Sequence, residues 1–106
     1  MVTKVSSTTF ESEVKAETLP VLLDCYAEWC GPCKMMAPIV EQLSEKYAGK
    51  MKFCKLDVDT DGSAVAAYRV MSIPNFLFFR NGEVVKNAIG GMSPSDFENL
   101  IKEVLG

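Results

Sequence analysis

Apolar residues recur along the chain with two spacings, and the change from one to the other marks out the elements. Lys4-Val5-Ser6 can begin a short strand. Thr8-Thr9-Phe10-Glu11 fits a capping box that opens a helix. Phe10, Val14 and Ala16 give that helix its apolar side, and Thr18-Leu19-Pro20 ends it. Val21 to Tyr26 is apolar on both faces apart from Asp24, which predicts a central strand covered on each side. From Lys34 to Tyr47 the period changes. Met36, Ile39, Val40, Leu43 and Tyr47 fall at i, i+3, i+4, i+7 and i+11, the stripe of an amphipathic helix. Pro38 lies inside this stretch and predicts a kink, and Ala48-Gly49-Lys50 supplies a C-cap.

Met51 to Val58 predicts a second buried strand, followed by a turn and cap at Asp59-Thr60-Asp61-Gly62 and a short alanine-rich helix from Ser63 to Tyr68. Asn75 to Arg80 is a third strong strand. Asn81-Gly82 is a hairpin signal, with Glu83 to Ile89 returning as the partner strand. Gly90-Gly91 breaks it. Ser93 as N-cap and Pro94 at the first helical position open a last helix, whose apolar face is Phe97, Leu100, Ile101 and Val104. The order is β-α-β-α-β-α-β-β-α. This predicts an α/β chain with a mixed central sheet and helices on both faces.

Composition narrows the function. The 106 residues suit one domain, residues 1–106. The net charge of −3 and the lack of any basic block argue against a nucleic-acid or anionic-membrane partner. There is no histidine, so acid–base work falls to carboxylates, lysines or thiols. No secretory signal is visible at the N-terminus, and no apolar run approaches the roughly 20 residues that span a bilayer. The expected compartment is the cytoplasm, where four cysteines mean thiol chemistry or metal rather than a structural framework.

The candidate chemistry lies in Trp29-Cys30-Gly31-Pro32-Cys33-Lys34, between the first strong strand and the amphipathic helix. Residues three apart in a regular helix have Cβ atoms about 5–6 Å apart, whereas a disulfide needs roughly 3.5–4.5 Å. The pair therefore works best with Cys30 just outside the helix and Cys33 in its first turn. Gly31 tolerates the bend and Pro32 suits the first turn. A ring this small adds only about 2 kcal/mol by loop entropy, which suits a bond that opens and closes. The helix N-terminus favours a thiolate at Cys30, the attacking species. Cys33 would then attack the mixed disulfide. Trp29 offers an apolar platform and Lys34 a positive charge. A half zinc site and a structural disulfide are the alternatives. Against zinc, Cys25 and Cys54 form no second Cys-x-x-Cys and no histidine completes a set.

Asp24 is the informative oddity. In strand alternation it shares a face with Leu22 and Tyr26, six residues before Cys30, and burial should raise its pKa. It is a candidate to take the Cys33 proton. Lys55 is its candidate partner if the two strands are neighbours; the alternative is a solvent-facing lysine. Cys25, pointing away from Asp24, and Cys54 are expected to be small buried hydrophobes. Met36 belongs to the core stripe, while Met35 is a candidate for the surface around the site. Pro74 alone is ordinary punctuation at the start of a strand.

These residues together resemble the bacterial-type thioredoxin family over nearly the whole chain. Asp24, Ala27 to Lys34, Pro38, Lys55-Leu56-Asp57-Val58-Asp59, Ile73-Pro74, Gly82 and Gly90 carry the resemblance. It implies a thioredoxin fold, with a mixed five-stranded sheet flanked by four helices, and a general protein-disulfide reductase. Cys30 would be the exposed nucleophile and Cys33 the resolving thiol. Asp24 would be the buried proton acceptor, with Lys55 beside it. Gly31 and Pro32 would set the potential towards reduction. A cis Ile73-Pro74 bond would pack against the dithiol, and Trp29, Ile73, Pro74 and Gly90 would receive partner peptides. The resemblance implies no bound cofactor. Electrons would come from NADPH through a flavin-containing thioredoxin reductase, the other partners being disulfide-containing target proteins. A monomer is expected. Cys25, Tyr26, Met71-Ser72 and Asn75 depart from the commonest pattern, which bears on partner preference. An oxidase or isomerase, or a non-catalytic binding module, are the competing functions.

Overall fold

The five strands follow from where the chain can bury two faces or one. The computed structural model describes all residues, Met1–Gly106. The strands are β1 (Thr3–Lys4), β2 (Val21–Tyr26), β3 (Lys52–Asp57), β4 (Asn75–Arg80) and β5 (Glu83–Ile89). They form one sheet in the order β1-β3-β2-β4-β5. β1, β3 and β2 run parallel, and β4 and β5 are antiparallel additions. The most apolar strand, β2, is the central one, as its sequence predicts. β5 is an edge, half-buried at alternate residues, and carries Lys86, which blunts pairing with another chain.

Each face of the sheet has its own core. Leu22, Phe53, Phe76 and Phe78 pack against α1 (Gly31–Lys46) and α3 (Pro94–Leu105) through Met36, Val40, Leu43, Phe97 and Ile101. Val21, Leu23, Cys25, Cys54, Leu56, Leu77 and Phe79 pack on the other face against Phe10, Val14 and Val65. The last three belong to a helical turn at Glu11–Lys15, with its preceding residue, and a 3₁₀ segment at Gly62–Tyr68. Counting α2 (Val58–Asp61) with the 3₁₀ segment as one helical stretch, four helical stretches flank the sheet. This is the α/β architecture expected.

Local details differ from expectation in two places. The Thr8–Glu11 capping box does not form: Thr8 Oγ1 bonds Ser6 Oγ at 2.9 Å, and Thr9 Oγ1 accepts from Ser6 N at 2.9 Å. With both hydroxyls turned back, the turn is wide, and Ala16 N donates to Glu11 O five residues earlier. It is held by the burial of Phe10 and Val14. Second, Asp59–Asp61 is helical rather than a turn, because Asp57 Oδ1 caps α2 by accepting from Asp59 N at 2.9 Å. α1 starts at Gly31 with Cys30 as its N-cap, as the dithiol geometry requires, and it continues through Pro38. The hairpin and the last helix follow the sequence. Asn81 and Gly82 both take positive φ, and Ser93 Oγ accepts from Asp96 N at 3.2 Å.

Candidate functional site

Topology gathers the candidate residues at one edge of the sheet. Parallel β2 and β3 deliver their C-terminal ends there, where α/β sheets place their sites. Antiparallel β4 delivers its N-terminal end to the same edge, since Cys25 pairs with Asn75. β5 returns to it, since Ile89 also pairs with Asn75. Pro74 and Gly90 are thus neighbours, and Gly90 N donates to Pro74 O at 2.9 Å. The Ile73-Pro74 bond is cis. Ile73 packs against Ala27, Cys30 and Cys33.

Cys30 and Cys33 form a disulfide, with Cα atoms 5.2 Å apart. Cys30 is the N-cap of α1 in extended conformation, and Cys33 lies in the first turn behind Gly31 and Pro32. Cys33 N donates to Cys30 Sγ at 3.2 Å. A free helix-terminal N–H thus points at Cys30 sulfur, the arrangement that stabilises a thiolate there. One expectation needs correction. Cys30 is not the exposed member of the oxidised pair: it is 3% exposed and Cys33 4%. Ala27 clusters with the two cysteines, and the half-buried Tyr26, Val58 and Ile73 pack against that cluster. The asymmetry lies in what each cysteine faces.

Cys33, and not Cys30, lines a cavity of about 160 Å³ together with Asp24, Tyr26, Ala27, Glu28, Lys34, Ala37 and Lys55. A cavity of this size with charged side chains in its wall has room for water. Asp24 is buried, and its Oδ1 has no hydrogen-bond partner. Burial pushes its carboxyl up from 3.8 to about 7, and the positive charge of Lys55 opposes that rise. Lys55 is the register partner of Asp24 across β2 and β3, so both side chains lie on the same face. The neighbouring strands expected from the sequence are present, but no Asp24–Lys55 ion pair forms. Lys55 joins none of the ion pairs in the chain, and acts on Asp24 through space. Lys34 faces the same cavity from α1.

Trp29 stands at the surface, 68% exposed, with Nε1 donating to Asp59 Oδ2 at 2.8 Å. Met35, 75% exposed, lines an apolar groove on the other side of the dithiol with Pro32, Met36, Ile39, Gly91 and Met92. Two residues here were not singled out by sequence reasoning for a role at the site. Asp59 anchors Trp29, and its signal was its place at the end of Lys55–Asp59. Tyr26 walls the cavity, and its signal was its place two residues after Asp24 on the same strand face. Cys25 and Cys54 lie on the opposite face, buried. Burial pushes their thiols up to about 12 and about 11. No group of three or more acidic, histidine or cysteine side chains is arranged to hold a metal ion, and no helix is long and apolar enough to cross a membrane.

Comparison with known proteins agrees with this geometry. The family model described as Thioredoxin matches residues 1–103. A thioredoxin of Haemophilus influenzae is 39% identical over 99 residues, covering 93% of this chain and 92% of that protein. One of Synechocystis sp. is 35% identical over 102 residues, covering 96% and 95%. One of Rickettsia felis is 41% identical over 90 residues, covering 85% and 86%. Members of this family carry no cofactor of their own and work with a reductase and with disulfide-containing targets. With a cysteine pair at bonding distance on a strand-to-helix turn and these relatives along nearly its whole length, the chain belongs to the thioredoxin family and is a thiol-disulfide oxidoreductase working by dithiol–disulfide exchange.

Proposed function

We propose that the chain works as a general protein-disulfide reductase, as a single domain and a monomer, in the cytoplasm. The Cys30 thiolate attacks one sulfur of a substrate disulfide and expels the other as a thiolate. Cys33 then gives its proton to the Asp24 carboxylate, attacks Cys30 Sγ and releases the second substrate sulfur. Two electrons pass to the substrate, and the Cys30–Cys33 disulfide remains. NADPH, acting through a flavin-containing thioredoxin reductase, restores the dithiol.

One observation carries the assignment of roles. The cavity that holds Asp24 is lined by Cys33 and not by Cys30, while the amide at the helix start donates to Cys30. The carboxyl, at about 7, can exchange its proton at neutral pH. Lys55 moderates its charge. Gly31 and Pro32 form the turn that brings the sulfurs together, and Lys34 adds positive charge beside it. Trp29, Ile73, Pro74 and Gly90 border the dithiol as the surface for the partner peptide.

Turnover of a protein disulfide with thioredoxin reductase and NADPH tests the reading. Wild type should reduce the substrate catalytically, and no turnover would sink the proposal. Cys33→Ser should trap mixed disulfides at Cys30. Trapping by Cys30→Ser instead would reverse the two roles.

A further inference from the structure

Tyr26 ends β2 and shares a strand face with Asp24. The Lys55 ammonium lies over its ring, 5.9 Å from the centroid, within the range in which a cation is attracted to an aromatic face. Lys55 enters no ion pair and donates none of the side-chain hydrogen bonds in the chain. The ring face is the one side-chain contact of this ammonium that the structure shows. Tyr26, Lys55, Asp24 and Cys33 all line one cavity.

We propose that Tyr26 is a positioning residue for the dithiol reaction: its ring face holds the Lys55 ammonium at the cavity and so sets the pH at which Asp24 accepts the Cys33 proton. The inference rests on the reading of Asp24 as proton acceptor given above. A lysine side chain is long and loses much rotamer freedom when held in one place. Without the ring it samples solvent, and its average attraction for the Asp24 carboxylate falls. The other charged and titratable groups are Glu28 from the loop, Lys34 and Cys33 from α1, the Cys25 thiol next to Asp24 on β2, and Lys4 from β1 and Asp57 from β3 near the phenol. Every Tyr26 variant frees Lys4 from the phenol alike, so comparing Tyr26→Phe with the ring-less variants isolates the ring.

Carbon NMR of the Asp24 carboxyl against pH, in the reduced protein, reads this directly. Tyr26→Phe keeps the ring and should hold the parent midpoint. Tyr26→Met removes it and should raise the midpoint, by no more than the loss of the Lys55 charge does. Tyr26→Leu is the second ring-less variant should Tyr26→Met fold poorly. Lys55→Met should raise the midpoint at least as far, and adding Tyr26→Met to it should then change nothing more. An unmoved midpoint in both ring-less variants overturns the proposal. So does an equal shift in the Lys55→Met background, because the ring would then act by burial alone. The pH profile of Cys33 attack is measured alongside in Asp24→Asn. If that profile matches wild type while the ring-less variants still move the midpoint, Asp24 is not the proton acceptor and the ring's hold on Lys55 stands.

Discussion

In a chain without histidine, a buried carboxylate is the side chain most open to tuning near neutral pH. Asp24 is ordinary at 3.8 and about 7 when folded. The folded state therefore holds this proton more tightly than the unfolded chain. Below about pH 4 both states are protonated. Between about 4 and 7 the unfolded chain releases its proton first, so stability falls as pH rises, and above 7 the loss is complete. Asp24→Asn should remove the penalty. Urea unfolding at pH 8 should show the variant more stable by on the order of 3 kcal/mol, with the gap narrowing towards pH 5. The same variant should slow the resolving step, so stability and turnover move in opposite directions. The remaining thiols give a second check. With Cys25 and Cys54 buried on the far face of the sheet and poorly ionised, iodoacetamide on the native reduced chain at neutral pH should leave both unmodified, any adduct forming at the dithiol. Mass spectrometry reads the count, and a third adduct would contradict the burial argument.

Elements fixed by apolar runs and turn dipeptides were readable from the sequence; those fixed by which of several nearby side chains caps them were not. β2, β4, β5 and α3 follow from apolar runs, Asn-Gly and Ser-Pro, and the structure gives them the predicted limits. The start of α1 was readable from the dithiol itself, which needs Cys30 just outside the helix and Cys33 in its first turn, and Cys30 is the N-cap. The Glu11–Lys15 turn and α2 were misjudged because nearby hydroxyls and Asp57 chose other donors. The dithiol and Asp24 were legible from spacing and from an acid in an apolar strand. The Asp59 anchor and the Tyr26 wall depend on which strands become neighbours, which local pattern does not encode. The hairpin tip shows how such a contact constrains a short motif. Gly82 has φ +80, and a Cβ there would stand 3.0 Å from Lys15 O, a backbone atom. Gly82→Ala should cost about 1–2 kcal/mol from conformation alone, with more from the contact. The expected readout is a lower urea midpoint with unchanged slope.

At the scale of the whole molecule, the reactive edge is separate from what holds the fold. Two cores lie on opposite faces of the sheet, and the dithiol contributes to neither, packing only with Ala27 and a few half-buried neighbours. Opening the four-residue ring releases about 2 kcal/mol of loop-entropy constraint, a fraction of a domain's stability. The Cys30→Ser, Cys33→Ser variant should therefore fold, with a Tm close to that of the reduced wild type. Loss of cooperative unfolding in that variant would show the disulfide to be structural after all. The same separation lets the molecule alternate between oxidised and reduced states while its sheet stays in register.

The tether between Trp29 and Asp59 has a practical consequence. This is the only tryptophan in the chain, it adjoins the dithiol, and its indole is fixed rather than free to swing. Disulfides quench nearby indole emission, and thiols quench it less. The natural fluorescence of the unlabelled chain should therefore report its redox state, rising on reduction and dimming on reoxidation; emission that stays flat through a reductant titration would show that the exposed indole does not sense the disulfide.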